Sequence, residues 1–328
     1  FNKTSIFRMK SSPEVYISHW DILEEIESIS LQNEEYELLV ILKDYKEWLD
    51  FEKILDKPGK QGIVGLFKIK GTHLWDNQYL YDLYKTAYTP WEWHETLFNK
   101  AKEFGMDAFS SPFDVTAVEF LEKLNVPCYK IASCEITDHI LIRKIAETKK
   151  PVIISSGMAS VGELEEAVCL LRKYGTTEIC MLKCTAEYPA QPEDANLLTI
   201  KNMIETFNVV GGLSDHTLGI EVPISSVCLG AKVIEKHFTL SRQSGSPDDA
   251  FSLEPHEFKQ MVDSIRIVEK TIGKVTYGGV KGEQEMKNFR RSLFFVKDMN
   301  DGDVIDETCV KSISDNSLTL NIINCLCS

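Results

Sequence analysis

From about residue 100 onward the chain repeats one unit: a short apolar strand, a polar tip, then a helical pattern. The strands read as Met106–Ser110, Pro127–Ser133, Pro151–Ser156, Glu178–Thr185, Val209–Ser214 and Lys232–Phe238. Between them helical periodicity runs through Val115–Leu124, Leu141–Lys149, Gly162–Tyr174, Leu197–Phe207 and Ile220–Leu229. Strand starts recur every ~20–30 residues, the length of one βα unit. Strands this evenly apolar are buried on both faces, which calls for a parallel sheet covered by helices. The expected fold class is α/β, a (β/α)8 TIM-type barrel, which needs eight strands and roughly 250 residues. Upstream, Tyr36–Lys43 and Ile63–Lys70 are the candidates for the two further strands; without them the barrel is incomplete at its N-terminus. The helix expected to close it is His256–Ile272, with Pro255 where helices commonly begin.

This pattern divides the chain into three stretches. Residues 1–66 form an unassigned N-terminal segment with helical patterns at Trp20–Ile29 and Tyr45–Leu55, and 67–277 form the barrel. Residues 278–328 are a linker through Gly278-Gly279 and the start of a small β-rich module, with Ser292–Val296, Asp298–Gly302 and Val310–Ile313 as its traces. The formal net charge of -14 argues against nucleic-acid or anionic-membrane partners. No run approaches the ~18 uninterrupted apolar residues of a membrane span. The nine cysteines are scattered without a CxxC pair, which predicts reduced core residues of a cytoplasmic protein.

The polar tips carry the chemistry. Two histidines follow consecutive strands, in Gly212-Leu213-Ser214-Asp215-His216-Thr217 and Val233-Ile234-Glu235-Lys236-His237-Phe238. Both should emerge at one end of the sheet, where α/β proteins place their sites. Neutral imidazole suits Mn, Fe, Co or Zn, and beside Asp215 and Glu235 the pair forms a candidate divalent-metal site. A lone histidine reads better as a satisfied structural residue; the same context in adjacent units favours the metal. Other tips supply Ser110, Ser111 and Asp114; Lys130, Ser133 and Glu135; Ser155 and Ser156; Lys183 and Thr185; and Lys236. Lysines interleaved with small hydroxyls suit an anion with several oxygens, against the alternative of lysine heads reaching for solvent. Alternation adds a constraint: Lys130 and Ser133 share a face only if one lies past its strand, and Lys236 and His237 should face opposite ways.

These segments resemble the sialic acid synthase family. The match lies in Phe109-Ser110-Ser111-Pro112-Phe113-Asp114, Tyr129-Lys130-Ile131-Ala132-Ser133, Pro151–Met158, Leu182-Lys183-Cys184-Thr185, Gly212–His216 and Ile234–Phe238, in the family's order and spacing. Ile69-Lys70-Gly71, Leu80–Tyr84, Thr89–His94 and Ala250–Pro255 resemble its pseudaminic acid synthase branch. The resemblance implies condensation of phosphoenolpyruvate with a 2,4-diacetamido-2,4,6-trideoxyhexose to form pseudaminic acid and phosphate. N-acetylneuraminate or legionaminate synthesis, and a catalytically inactive relative, are the alternatives.

It further implies His216 and His237 as ligands of Mn2+, with Mg2+ or Co2+ as substitutes, polarising the aldehyde oxygen. Ser111, Lys130, Ser133, Ser156, Ser214 and Lys236 would surround phosphoenolpyruvate; Tyr188 and Asp248 would contact the sugar. Lys130, Lys236 and Asp248 are the expected catalytic residues. The family is expected to be a homodimer, with an antifreeze-like C-terminal domain whose arginine reaches the partner's site. Here that module is expected to be truncated, matching only Arg290–Ile313, with Ser314-Asp315-Asn316 where an Arg-Pro element is expected. Residues 1–66 lack the family's Asn-His turn and Lys-Phe-Gln strand end, and Ala186 replaces a polar residue. These departures predict a chain much less active than a complete member.

Overall fold

Eight strands form one parallel sheet. The computed structural model describes residues 14–18, 38–44, 79 and 89–314. The strands are β1 (Glu14–Ser18), β2 (Leu38–Asp44), β3 (Asp107–Pro112), β4 (Tyr129–Ile131), β5 (Val152–Ser155), β6 (Ile179–Cys184), β7 (Val210–Asp215) and β8 (Val233–His237). Their order across the sheet is β3-β2-β1-β8-β7-β6-β5-β4. The two end strands meet, because the Ser111 hydroxyl donates to the Lys130 carbonyl at 3.1 Å.

β1 and β2 come from the segment that the sequence leaves unassigned. β2 coincides with the expected strand Tyr36–Lys43, whereas the other strand is Glu14–Ser18. Ile63–Lys70 and the two N-terminal helical patterns lie outside the described residues. β1 is inserted between β2 and β8, pairing Tyr16 with Glu235 and Ser18 with His237 in register. Lys43 stands opposite Ser111 in the β2–β3 register, so a lysine does occupy the end of the second strand, followed by Asp44.

The helices are α1 (Trp91–Glu103), α2 (Val115–Lys123), α3 (His139–Glu147), α4 (Val161–Tyr174), α5 (Leu198–Phe207), α6 (Glu221–Cys228) and α7 (Pro255–Ile272). Their ends follow local chemistry. Asp114, expected at the rim, caps α2 by accepting from the Ala117 N–H at 2.9 Å. Ser160 and Glu163 form a capping box on α4, and Gly175 ends it at φ 116°, a conformation glycine adopts without strain.

Alternation sorts β8 into two faces. Ile234 and Phe238 belong to an apolar cluster with Phe258, Met261 and Val262 of α7, and the Phe238 and Phe258 rings are 5.4 Å apart. Lys236 shares that helix-facing side, while Glu235 and His237 face the other way.

The chain divides into two units, Phe1–Ile272 and Gly273–Ser328. In the second, β9 (Arg291–Phe295) and β10 (Val310–Ser314) form an antiparallel pair. Among the described residues no helix is long and apolar enough to cross a membrane.

Candidate active site

The C-terminal ends of β4 to β8 bring two groups of side chains together. The first centres on Lys130, whose ammonium donates to the Ser155 hydroxyl at 2.7 Å and lies 3.4 Å from Glu235 Oε2. Glu235 Oε1 accepts from the Ser214 hydroxyl at 2.5 Å. Ser133 lies beyond β4 in a 3-10 turn, and its hydroxyl accepts from the Gly157 N–H at 3.1 Å. This resolves the spacing conflict with Lys130, since the turn swings Ser133 back toward the same cluster. Gly157 has no room for a side chain: a Cβ would lie 2.6 Å from Ser133 Oγ. Ser156 accepts from the Cys184 N–H at 3.3 Å. The Cys184 thiol also belongs to this group; burial pushes its pKa up, against the influence of Ser133, Lys130 and Ser214. It is therefore a neutral thiol at neutral pH.

The second group is aromatic. The His216 and His237 rings have centroids 5.3 Å apart, Tyr188 lies 4.2 Å from His216, and Phe251 lies 4.8 Å from His237. His216 Nδ1 is 2.8 Å from the Thr185 carbonyl, an acceptor only, so Nδ1 carries the proton and the lone pair sits on Nε2. Asp248 Oδ2 is 3.4 Å from His237 Nδ1. Asp249 braces the loop carrying Asp248 by accepting from Thr239 Oγ1 (2.7 Å), Ser244 Oγ (2.7 Å) and the Ser246 N–H (2.8 Å). Burial alone would raise the Asp249 pKa, but these bonds hold it below the usual carboxylate range.

The two groups adjoin. Cys184 belongs to the first and Thr185 holds His216 in the second, while Glu235 and His237 lie two apart on one face of β8. Lys183, between them, donates to the Cys184 carbonyl and Thr185 Oγ1, both at 3.0 Å, and burial lowers its pKa.

Lys236 requires a correction. It was expected beside Lys130 in the anion cradle, but it is fully buried on the helix-facing side, with Nζ 2.5 Å from Asp215 Oδ2 and in contact with the Thr217 carbonyl. Asp215 is likewise turned away from the imidazoles and engaged by Lys236 and Thr217. Ser111 spends its proton on the Lys130 carbonyl. Glu235, expected beside the histidines, instead faces Lys130; Cys184 and Phe251 were not anticipated in the site. The two-residue step back from His237 was the signal that could have put Glu235 with Lys130.

A family model described as the NeuB family matches residues 65–277. The chain belongs to the NeuB family. Among NeuB relatives, a pseudaminic acid synthase of Helicobacter pylori is 45% identical over 251 residues, 76% of this chain and 74% of that protein. A pseudaminic acid synthase of Campylobacter jejuni is 43% identical over 249 residues, 75% of this chain and 72% of that one. Among solved structures, the N-acetylneuraminic acid (sialic acid) synthetase of Leptospira borgpetersenii in complex with citrate superposes with a TM-score of 0.67 at 25% identity, covering 85% of this chain and 91% of that one.

The NeuB site also admits a test for metal. Among the described residues no group of three or more His, Cys, Asp or Glu is arranged to hold an ion. What is present is two imidazoles, one with its lone pair fixed on Nε2 by a carbonyl and the other with a carboxylate oxygen 3.4 Å from its Nδ1. That donor set fits a divalent ion whose other positions are filled from outside the protein.

Proposed function

We propose that this chain condenses phosphoenolpyruvate with a 2,4-diacetamido-2,4,6-trideoxyhexose, giving pseudaminic acid and phosphate. The observation that carries this reading is the buried Lys130 ammonium, set among hydroxyls at the sheet end that also presents two imidazoles, in a chain this similar to pseudaminic acid synthases. On the same reading the eight strands are a (β/α)8 barrel, and β9–β10 begin an antifreeze-like module. The enzyme works as a cytoplasmic homodimer.

Lys130, with Ser133, Ser156 and Ser214 around it, binds the phosphate and carboxylate of phosphoenolpyruvate as a charged anchor among hydroxyl donors. Tyr188 and Asp248 hold the sugar against it. C3 of the enol attacks the aldehyde carbon, whose oxygen takes up a proton. Positive charge develops at C2, next to the anions that Lys130 orients. Water adds at C2, and phosphate leaves with the bridging oxygen by C–O cleavage. His216 and His237 would hold Mn2+, Mg2+ or Co2+, which when bound supplies Lewis acidity for an aldehyde oxygen.

The test is phosphate release in the presence of Mn2+, with the trideoxyhexose and N-acetylmannosamine compared at equal concentration. Faster turnover of the trideoxyhexose is expected. Faster turnover of N-acetylmannosamine moves the assignment to sialic acid synthesis, and no release with either sugar rejects the catalytic reading.

A further inference from the structure

Lys236 and Asp215 are the residues immediately before His237 and His216, and they are register partners on β8 and β7. Both are buried on the sheet face away from the histidines. The Lys236 ammonium contacts Asp215 Oδ2 on one side of His216 and the Thr217 carbonyl on the other. Asp215 Oδ1 accepts from the Thr217 N–H at 3.1 Å, and Thr217 Oγ1 donates to Asp215 at 2.9 Å. The turn carrying His216 is thus gripped on both flanks by the side chain next to His237. From the remaining direction, the Ala190 N–H donates to the His216 carbonyl at 3.0 Å.

We propose that the Lys236–Asp215 pair is a positioning device that fixes the spacing of the two imidazoles, and that Lys236 does not bind anion. The inference rests on the reading of His216 and His237 as metal ligands. Its physical basis is that the pair spans the backbone between the histidines on the side no substrate reaches. A charge in contact with a carboxylate, a backbone carbonyl and the helix-side core has no path to the Lys130 cluster. Residues that orient metal ligands typically affect affinity by roughly 10- to 100-fold without touching the metal.

The experiment measures Mn2+ binding and phosphoenolpyruvate binding separately by calorimetry, and records the visible spectrum of the Co2+-loaded protein. Lys236→Met leaves Asp215 buried without its cation and can fail to fold. The double variant Lys236→Met/Asp215→Asn removes both charges while leaving an oxygen for the Thr217 N–H, and keeps the test usable. Expected are a loss of Mn2+ affinity of about tenfold or more and an altered Co2+ spectrum, with phosphoenolpyruvate affinity in metal-free buffer within about twofold of the parent. Unchanged Mn2+ affinity and Co2+ spectrum in the folded double variant overturn the inference. So does a fall in phosphoenolpyruvate affinity like that of Lys130→Met, which would restore Lys236 to the anion cradle. His216→Ala and His237→Ala serve as controls: if both retain parental Mn2+ affinity, the histidine reading itself fails and the inference falls with it.

Discussion

Lys130 and Glu235 face each other inside the sheet, Nζ and Oε2 3.4 Å apart, each also bonded to a serine. Both side chains are largely withdrawn from water, so the pair is asymmetric in its energetics. Losing one partner strands the other charge, whereas neutralising both is far cheaper.

Lys130→Met should therefore act twice. Deleting a charge-assisted contact worth roughly 1.5–3 kcal/mol should weaken phosphoenolpyruvate binding by about 10- to 150-fold. Leaving Glu235 uncompensated should cost about 3–5 kcal/mol of stability. Adding Glu235→Gln should recover most of the melting temperature and none of the affinity. If calorimetry finds parental phosphoenolpyruvate affinity in Lys130→Met, the anion site lies elsewhere.

Gly157→Ala should destabilise by about 1–3 kcal/mol, because the new methyl carbon would sit 2.6 Å from Ser133 Oγ and 3.2 Å from Ala186 Cβ. Pairing it with Ser133→Ala removes the nearest atom and should return part of that loss in urea unfolding. A double variant no more stable than the single one would mean that the backbone, not Ser133, absorbs the strain.

Asp249→Ala removes the acceptor shared by Thr239, Ser244 and Ser246. The loop between them should open more readily, by roughly 1.5–3 kcal/mol if one charged hydrogen bond dominates. The expected signs are faster proteolytic nicking within residues 241–249 and a raised KM for the sugar at unchanged KM for phosphoenolpyruvate. Equal increases in both KM values would contradict a loop-specific role.

His94 supplies a pH dependence. It is fully buried on α1; Nδ1 lies 3.1 Å from the Pro90 carbonyl, and the Phe98 and Phe120 rings meet it edge-on. Burial lowers its pKa below the ordinary 6.5, so the folded chain resists a proton that the unfolded chain accepts. Stability contributed by the neutral ring is present above that value, falls as pH drops below it, and levels off once the folded-state pKa is passed. His94→Gln should flatten the decline in melting temperature between about pH 7.5 and 5.5, whatever its absolute stability. A variant with the parental slope would place the titration on another group.

The six repeated units and their helices were legible because each strand was apolar and each helix amphipathic enough to show its period. β2 was legible for the same reason. Glu14–Ser18 was not: five residues between Pro13 and His19 give alternation too little length to register, and only pairing with β2 and β8 defines it as a strand. In the site, residue type alone gathered Lys130, Ser133, Ser156, Ser214, His216 and His237 at one end of the sheet. It misplaced Lys236, because an inventory of tips ignores which face each side chain takes. The alternation rule had already set Lys236 against His237, and the core under α7 decides in its favour. Asp114 has a second role that an inventory of tips leaves out, since aspartate is among the preferred residues to begin a helix.

The neighbour of β8 is β1, and Ser18 meets His237 across more than two hundred residues of chain. β1 leaves the ribosome well before β8, so the edge it must join is not made until synthesis reaches the second imidazole. Through most of translation the leading strand waits with one side open, which is the interval in which such edges recruit the wrong partner. The same late event that seals the sheet also delivers His237. In this molecule, completing the sheet and completing the pair of imidazoles are one moment in the life of the chain.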